Sequence, residues 1–157
     1  MGDVPAVLAI AESSSPWAPQ YPVGFYRQVV EAQYGEPLRR RLLVSAGSDG
    51  ITGFAVVAVL TTVAAEAELE SLAVAPSARG KGRGEALLHT AIAWAEAEMF
   101  RLEVRAQNNA AIRLYRRCGF EDVAVRRGYY TSPADDALCM QLPRGIPPAQ
   151  TAGVALL

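Results

Sequence analysis

The chain has 157 residues, of which 51% are hydrophobic and 20% are charged. This balance supports one domain with a buried core and excludes a disordered chain. A net charge of −1 and a pI of about 5.9 exclude long-range attraction to nucleic acid or to an anionic membrane, so we expect no direct nucleic-acid binding.

Targeting and metal-binding signals are absent from the sequence. No apolar stretch reaches the roughly 18–20 residues that span a bilayer; residues 53–60 are far too short. The N-terminal segment carries Asp3 and no basic leader, so we predict no signal peptide. Two cysteines, Cys118 and Cys139, favour a reducing compartment, and we expect a cytoplasmic protein. The single histidine, His89, lies in no cluster of metal-ligand types, so we predict no metal site.

Hydrophobic periodicity and turn signals predict ten elements in chain order. The first half contains two helices and then three strands, at residues 3–12, 24–34, 39–46, 51–60 and 67–74. The second half contains a helix, a strand, a helix and two strands, at residues 84 to about 99, 101–106, 109–118, 120–130 and 137–142. We interpret residues 1–142 as one mixed α/β domain and residues 143–157 as a loosely ordered, Pro-containing tail.

A glycine-rich loop lies between a predicted strand and a predicted helix. Its sequence is Arg79-Gly80-Lys81-Gly82-Arg83-Gly84. Such a loop presents unpaired N–H groups at the positive end of a helix, and glycines let the backbone approach an anion closely. The loop therefore predicts a phosphate or pyrophosphate site, although a tight turn alone would also explain it. It matches neither a P-loop, which needs Ser or Thr after the lysine, nor the G-x-G-x-x-G dinucleotide fingerprint.

Two segments resemble the GNAT superfamily of N-acetyltransferases. Residues 72–88, LAVAPSARGKGRGEALL, resemble its coenzyme A motif, in which Arg or Gln is followed by two residues, Gly, one residue, and Gly or Ala. Residues 102–120, LEVRAQNNAAIRLYRRCGF, resemble its second signature. The similarity is closer to the bacterial ribosomal-protein alanine N-acetyltransferases (RimI type). That branch shares an N-terminal Pro-Trp and a later Tyr-Tyr before Asp-Ala, which are here Pro16, Trp17, Tyr129, Tyr130, Asp136 and Ala137.

The resemblance covers about residues 3–142 and implies the GNAT fold. That fold has a central mixed, mostly antiparallel sheet with a splayed parallel strand pair and flanking helices. Family members usually begin with a strand before the first helix. Here Met1 lies almost at that helix, so we expect the first strand to be missing and one sheet edge to be uncovered.

The resemblance implies acetyl-CoA as the cofactor, with coenzyme A as its product and no metal. Backbone groups around Leu72, Ala73 and Val74 would pair with the pantetheine arm and polarise the thioester carbonyl. The N–H groups of residues 80–84, with Arg79 beside them, would hold the pyrophosphate. Asn108 would contact the pantetheine arm, and it is also a plausible N-cap of the helix at 109–118.

By resemblance, Glu103 is the catalytic base and Tyr115 is the catalytic acid. Strict alternation over residues 101–106 places Glu103 on the face opposite Leu102 and Val104. Two alternatives stay open from the residues alone. Glu103 is then a solvent-facing carboxylate paired with Arg101 or Arg105, and Tyr115 is a core aromatic. Glu70 is a second candidate base or a substrate-binding residue.

The implied reaction is direct attack of a neutral amine on the acetyl thioester. Trp17, Tyr21, Tyr129 and Tyr130 come from segments that line the acceptor groove in the family, and ordinary packing explains these aromatics equally well. The expected acceptor is a protein N-terminus, the N-terminal alanine of a small-subunit ribosomal protein. The alternatives are a small-molecule amine acetyltransferase for polyamines or antibiotics, a non-catalytic acyl-CoA-binding module and a nucleotide-binding regulator.

Overall fold

A computed structural model describes residues 3–14, 17, 21–31, 37–143 and 153–156. The helices are α1 (Asp3–Ser13), α2 (Val23–Glu31), α3 (Arg83–Ala95) and α4 (Asn109–Arg117), and a short 3-10 turn spans Pro76–Ala78. The strands are β1 (Leu38–Gly47), β2 (Gly50–Thr61), β3 (Ala65–Val74), β4 (Met99–Arg105), β5 (Glu121–Thr131), β6 (Ala134–Pro143) and β7 (Val154–Leu156). The predicted order of elements and the mixed α/β class are confirmed. Pro16 and residues 144–152 of the predicted tail lie outside the described residues.

One mixed sheet contains all seven strands, in the order β5-β6-β4-β3-β2-β1-β7. Every neighbouring pair is antiparallel except β3 and β4, which are parallel. The parallel register begins at Glu66 opposite Met99 and ends at Leu69 opposite Leu102. Beyond that point the two strands separate, which confirms the expected splayed pair and leaves their facing edges without mutual hydrogen bonds.

A β-bulge in β3 marks the place where the strands part. Val56 of β2 pairs with Ser71, and Val57 pairs with Leu69, so the intervening Glu70 has no partner in that register. A bulge bends its strand and increases the local twist. The bend therefore helps to carry the end of β3 away from β4.

Two hydrophobic layers cover the two faces of the sheet. Helices α3 and α4 pack on one face, where Leu87, Leu88 and Tyr115 join a core that includes Leu102 of β4. Helices α1 and α2 cover the other face only over β1, β2 and the end of β3, as shown by the buried cluster around Val7, Tyr26 and Phe54. Over β4 and its neighbours that second face is instead polar, and we call it the charged face; its members include Glu66, Glu68, Arg101, Glu103 and Arg126.

The C-terminal strand corrects two expectations. β7 pairs antiparallel with Leu43, Val44 and Ser45 on the outer edge of β1. Val154 also packs against the core beneath α3. The prediction of a loosely ordered tail is therefore wrong for β7, and the edge expected to be uncovered is occupied there. Within the described residues no strand precedes α1.

Helix α3 ends earlier than predicted. The apolar spacing continues to Met99, but the helix ends at Ala95 because Glu96 adopts a left-handed conformation with φ of 48°. Met99 then begins β4, where it pairs with Pro143 of β6 and with Glu66 of β3. The prediction that the helix reaches Met99 is wrong because strand pairing overrides helical periodicity there.

Candidate active site

A cavity of about 960 Å³ opens where β3 and β4 separate. Its walls are the end of β3, the glycine-rich loop, the end of β4 and the start of α4. Most of the predicted site residues line it: Trp17, Glu70, Leu72, Ala73, Val74, Arg79, Gly80, Gly82, Arg83, Gly84, Glu103, Asn108, Tyr115 and Tyr130. Three predicted residues, Tyr21, Lys81 and Tyr129, lie outside the lining.

The basic side chains of the glycine-rich loop bind neighbouring protein groups. Arg79 donates through Nε to the Val74 carbonyl at 3.0 Å and through Nη2 to Ser14 Oγ at 3.3 Å. Lys81 Nζ donates to the Ser77 carbonyl at 3.1 Å. Arg83 Nη1 donates to the Ala46 carbonyl at 2.9 Å and to Ser45 Oγ at 3.1 Å. These hydrogen bonds hold the three basic side chains against neighbouring parts of the protein.

The loop backbone is shaped to receive an anion. Across the part of the chain that the structure describes, the N–H groups of residues 80–85 donate to no backbone carbonyl, and α3 begins here with Gly82 as its N-cap. Gly80 and Gly82 both have φ of 72°, and a Cβ on either would meet nothing within 4 Å. Glycine suits both the left-handed backbone and the open space above it. Free amides at a helix N-terminus bind phosphate groups well.

The end of β3 offers one free edge to the cavity. Leu72, Ala73 and Val74 pair with β2 on one side. On the other side the parallel register with β4 has already ended at Leu69. The Val74 carbonyl accepts from Arg79, whereas the edge groups of Leu72 and Ala73 are available to an extended ligand lying between the two strands, in the manner of an added strand.

Asn108 lies at the start of α4, where it caps the helix and faces the cavity. Its Oδ1 accepts a hydrogen bond from the Ala111 amide at 3.3 Å, so Asn108 is the N-cap of the helix. It also lines the cavity.

Glu103 projects from β4 on the charged face, opposite the core residues Leu102 and Val104. Arg126 Nη1 donates to its Oε1 at 2.5 Å, and Cys139 Sγ lies 3.8 Å from the same oxygen. Arg101, one of the partners considered from the sequence, pairs instead with Glu66. The Glu103 side chain is 28% exposed and reaches the cavity, so the carboxylate is accessible to a ligand.

Tyr115 is a core residue and a cavity residue at once. It is 6% exposed, and its ring packs beside Phe120 with centroids 6.0 Å apart. Burial raises the pKa of its phenol, and the nearby Tyr130 adds to the effect. The phenol therefore stays protonated at neutral pH, and within the described parts of the chain no hydrogen bond holds its hydroxyl. It can donate a proton to a ligand.

Glu70, the second candidate base, is already strongly paired. Arg40 of β1 donates to both of its carboxylate oxygens, each at 2.7 Å. The two side chains are only 20% and 14% exposed. Both carboxylate oxygens of Glu70 are therefore occupied by one guanidinium, whereas Glu103 accepts a single hydrogen bond from an arginine.

The predicted groove aromatics lie on two sides of the cavity. Tyr21 stacks on Phe25 at 4.2 Å and donates to the Glu70 carbonyl at 3.3 Å; burial and the Glu70 charge raise its pKa to about 12. Trp17 is 45% exposed and lines the cavity. On the opposite side Tyr129 and Tyr130 meet edge to face, with centroids 5.1 Å apart.

Sequence reasoning gave no site role to two arginines, Arg126 and Arg105, and considered Arg105 only as a solvent-exposed partner of Glu103. Arg126 holds the Glu103 carboxylate, as described above. Arg105 is only 8% exposed and lines the cavity, and its guanidinium donates to the carbonyls of Pro133 and Ser132 at 2.8 and 3.3 Å. It also lies 4.1 Å from the centroid of the Tyr130 ring. A glycine inside the strand pattern at Gly128 was the available signal for a bulge near Arg126.

The described residues contain neither a cluster of metal-ligand side chains nor a helix that could span a membrane. No group of three or more His, Cys, Asp or Glu side chains is arranged there to hold a metal ion. No helix in the same residues has the length and apolar character that crossing a membrane requires.

The chain is similar to proteins of one enzyme family. The profile of the acetyltransferase (GNAT) family matches residues 8–120. The Mycobacterium tuberculosis protein named N-alpha-acetyltransferase RimI is 38% identical over 106 residues, which cover 66% of this chain and 67% of that protein. A Bacillus subtilis protein named putative ribosomal protein bS18-alanine N-acetyltransferase is 30% identical over 143 residues, covering 88% and 87% of the two chains.

A solved structure resembles this chain in both sequence and fold. The crystal structure of the ribosomal-protein-S18-alanine N-acetyltransferase from Escherichia coli matches with a TM-score of 0.69 and 31% sequence identity. The match covers 97% of this chain and 93% of that one.

Proposed function

The chain belongs to the acetyltransferase (GNAT) family of N-acetyltransferases, and we propose that it transfers an acetyl group from acetyl-CoA to the N-terminal amine of a protein. The acceptor we infer is the N-terminal alanine of a small-subunit ribosomal protein, which implies that the enzyme works in the cytoplasm. One observation carries the proposal. Glu103 and Tyr115 line the same cavity, which extends from the gap between β3 and β4 to the glycine-rich loop.

The residues present fit a coenzyme A molecule. The open space above Gly80 and Gly82 and the free amides of residues 80–85 suit the pyrophosphate. The edge of Leu72 and Ala73, which has no strand partner on the side of β4, suits the amide groups of the pantetheine arm. Asn108 lines the same cavity. Bound acetyl-CoA would supply an activated acetyl thioester at this place.

The side chains around the gap divide the proton transfers between them. Glu103 accepts a proton from the acceptor ammonium, directly or through water, and passes it to solvent, which leaves a neutral amine able to attack. As the new C–N bond forms and the C–S bond breaks, the nitrogen loses its second proton through the same route. Tyr115 keeps its proton at neutral pH, donates it to the departing sulfur and is then reprotonated from solvent. Backbone N–H groups beside the gap stabilise the negative charge that develops on the acetyl oxygen.

A protein N-terminus suits a single carboxylate base. With a pKa of about 7.7–8.0, roughly a tenth of an α-amine is neutral at pH 7, whereas a lysine-type amine at about 10.4 is neutral only about 0.04% of the time. The Mycobacterium tuberculosis relative is named an N-alpha-acetyltransferase, and the Bacillus subtilis relative and the Escherichia coli enzyme are named ribosomal-protein alanine N-acetyltransferases. Both considerations support an α-amine as the acceptor.

We expect the protein to release free thiol when it is incubated with acetyl-CoA and a peptide that begins with unblocked alanine. At pH 7 ionisation alone favours this peptide over a lysine-type amine by about two orders of magnitude. Thiol release is followed with the Ala peptide, the same peptide with a blocked N-terminus, and spermidine. Faster turnover of spermidine than of the Ala peptide would replace this proposal by small-molecule amine acetylation. Coenzyme binding without turnover of any amine would favour a non-catalytic acyl-CoA-binding module.

Replacing Gly82 by alanine is expected to weaken coenzyme A binding at least about tenfold, equivalent to about 1.4 kcal/mol. The new Cβ would stand in the space above the free amides, on a backbone whose φ of 72° disfavours a side chain. That strain lowers the free energy of unfolding by about 1–2 kcal/mol. Calorimetric titration with coenzyme A and thermal unfolding measure the two effects.

The control is Gly50→Ala in the β1–β2 hairpin. Gly50 has φ of 115° and open space at its Cβ, but it lies away from the cavity. The Gly50→Ala variant should be less stable than the wild type, whereas its affinity for coenzyme A should be unchanged. An equal loss of affinity in both variants would mean that Gly82 acts through stability alone.

A further inference from the structure

The catalytic carboxylate of this chain already holds a cation. Arg126 of β5 reaches across β6 and donates through Nη1 to Glu103 Oε1 at 2.5 Å. The Arg126 side chain is 55% exposed and that of Glu103 is 28% exposed. Glu103 lines the cavity and both side chains are partly exposed, so an incoming group can reach the ion pair.

A bulge in β5 positions this guanidinium. Arg126 pairs with Ala137 and Tyr130 pairs with Asp135, so the three residues 127–129 of β5 lie opposite the single residue Asp136 of β6. Gly128 within the bulge has φ of 60°, and its N–H donates to Asp136 Oδ1 at 2.7 Å.

The aromatic ring that follows Gly128 completes this arrangement. The Tyr129 ring centroid lies 4.8 Å from the guanidinium carbon of Arg126, within the range of a cation–π contact. The guanidinium therefore contacts both the Glu103 carboxylate and the Tyr129 ring.

The other charged side chains near Glu103 are either paired with one another or negatively charged. On the same face Arg101 of β4 pairs with Glu66, Arg40 pairs with Glu70, and Glu68 of β3 adds a further negative charge near Glu103. Cys139 of β6 and the phenols of Tyr129 and Tyr130 complete the groups around the carboxylate. An acceptor ammonium and the Arg126 guanidinium would therefore bind the same carboxylate, that of Glu103.

We propose that Arg126 competes with the acceptor ammonium for Glu103 and thereby sets how selectively the cavity takes an unblocked, positively charged chain end. This inference rests on the proposed function, in which Glu103 receives the acceptor amine. Arg126 occupies the carboxylate in the free enzyme and leaves it when the ammonium binds. A neutral or blocked N-terminus has no charge to exchange, so Arg126 stays in place. Arg126 is a positioning residue in this scheme, because it acts on the reaction through Glu103.

The test compares Arg126→Gln, Arg126→Lys and Arg127→Gln with the wild type. Arg127 is the next residue of β5, and its side chain is 87% exposed and contacts Asp136 at 3.5 Å. Its replacement makes the same change in net charge one residue away. The probe is the hexapeptide Ala-Gly-Ala-Gly-Ala-Gly amide, with a free or an acetylated N-terminus. Steady-state kinetics give its KM and kcat, and calorimetry in the presence of coenzyme A gives its Kd.

We expect Arg126→Gln to lower both KM and Kd for the free peptide about two- to fivefold, the size of an exposed ion pair. Its kcat should change less than twofold, and its Kd for the acetylated peptide should stay at the wild-type value. Arg126→Lys and Arg127→Gln should behave like the wild type.

A higher KM in Arg126→Gln, or an equal fall in Arg127→Gln, would overturn the inference. So would an unchanged KM in Arg126→Gln when turnover of the peptide is lost in Glu103→Gln. If the wild type neither binds nor acetylates the free peptide, the proposed function fails first and this inference fails with it.

Discussion

Replacing Glu103 by glutamine is expected to lower kcat by about 10²–10⁴-fold, the usual contribution of a positioned general base. Glutamine keeps the shape of the side chain but cannot accept the proton of the acceptor amine. Affinity for coenzyme A should stay within about twofold of the wild type, because in the proposed function the free amides of residues 80–85, and not Glu103, hold the pyrophosphate. Thiol release with an Ala peptide and calorimetric titration with coenzyme A measure the two quantities.

Two further glutamate variants show whether the effect belongs to Glu103. Glu66→Gln removes a half-exposed carboxylate that pairs with Arg101 on the same face, and kcat should barely change. Glu70→Gln breaks the bidentate pair with Arg40. We expect this change to cost stability and acceptor binding more than kcat. A larger fall of kcat in Glu70→Gln than in Glu103→Gln would make Glu70 the base.

Replacing Tyr115 by phenylalanine is expected to lower kcat by about 10²-fold or more, because the departing sulfur loses its proton donor. Burial raises the pKa of this phenol, so the donor is present throughout the neutral pH range and its loss should be felt at every pH there. The ring remains packed beside Phe120, so the melting temperature should change little. Pre-steady-state and steady-state rates of thiol release measure the effect.

Tyr26→Phe is the matched control for this change. Tyr26 is fully buried on the opposite face of the sheet, in the layer formed by α1 and α2, and it does not line the cavity. Its loss of one hydroxyl should leave kcat unchanged. If Tyr115→Phe retains wild-type kcat, Tyr115 is a core aromatic only and another group protonates the sulfur.

The glycine-rich loop and the strand that carries Glu103 could be predicted because their signals are local. Three glycines between a strand and a helix, and strict alternation over residues 101–106, fix the local backbone without any knowledge of distant contacts. The resemblance then added roles for Glu103 and Tyr115. The cavity that the structure places between β3 and β4 brings these separately predicted residues together.

The parts that could not be predicted depend on contacts between distant segments. The Arg126 partner of Glu103 requires the three-strand order β5-β6-β4 and a bulge at Gly128, neither of which a pattern within one strand reveals. The three residues of β7 are too few for alternation to distinguish a strand from a coil. The end of α3 was misplaced because apolar spacing continued past Glu96, where the backbone turns left-handed.

The buried Arg105 has a consequence for how acceptor preference can diverge. It is two residues from Glu103 on β4, and it fastens the carbonyls of Ser132 and Pro133 at the β5–β6 turn. These hydrogen bonds hold the β5–β6 hairpin, which carries Arg126 and the tyrosine pair, against β4, the strand that contains Glu103. Substitutions in this hairpin are therefore expected to shift Glu103, whereas Trp17 lines the cavity from the segment between α1 and α2. Changes in acceptor preference should arise more readily at Trp17 than in the hairpin.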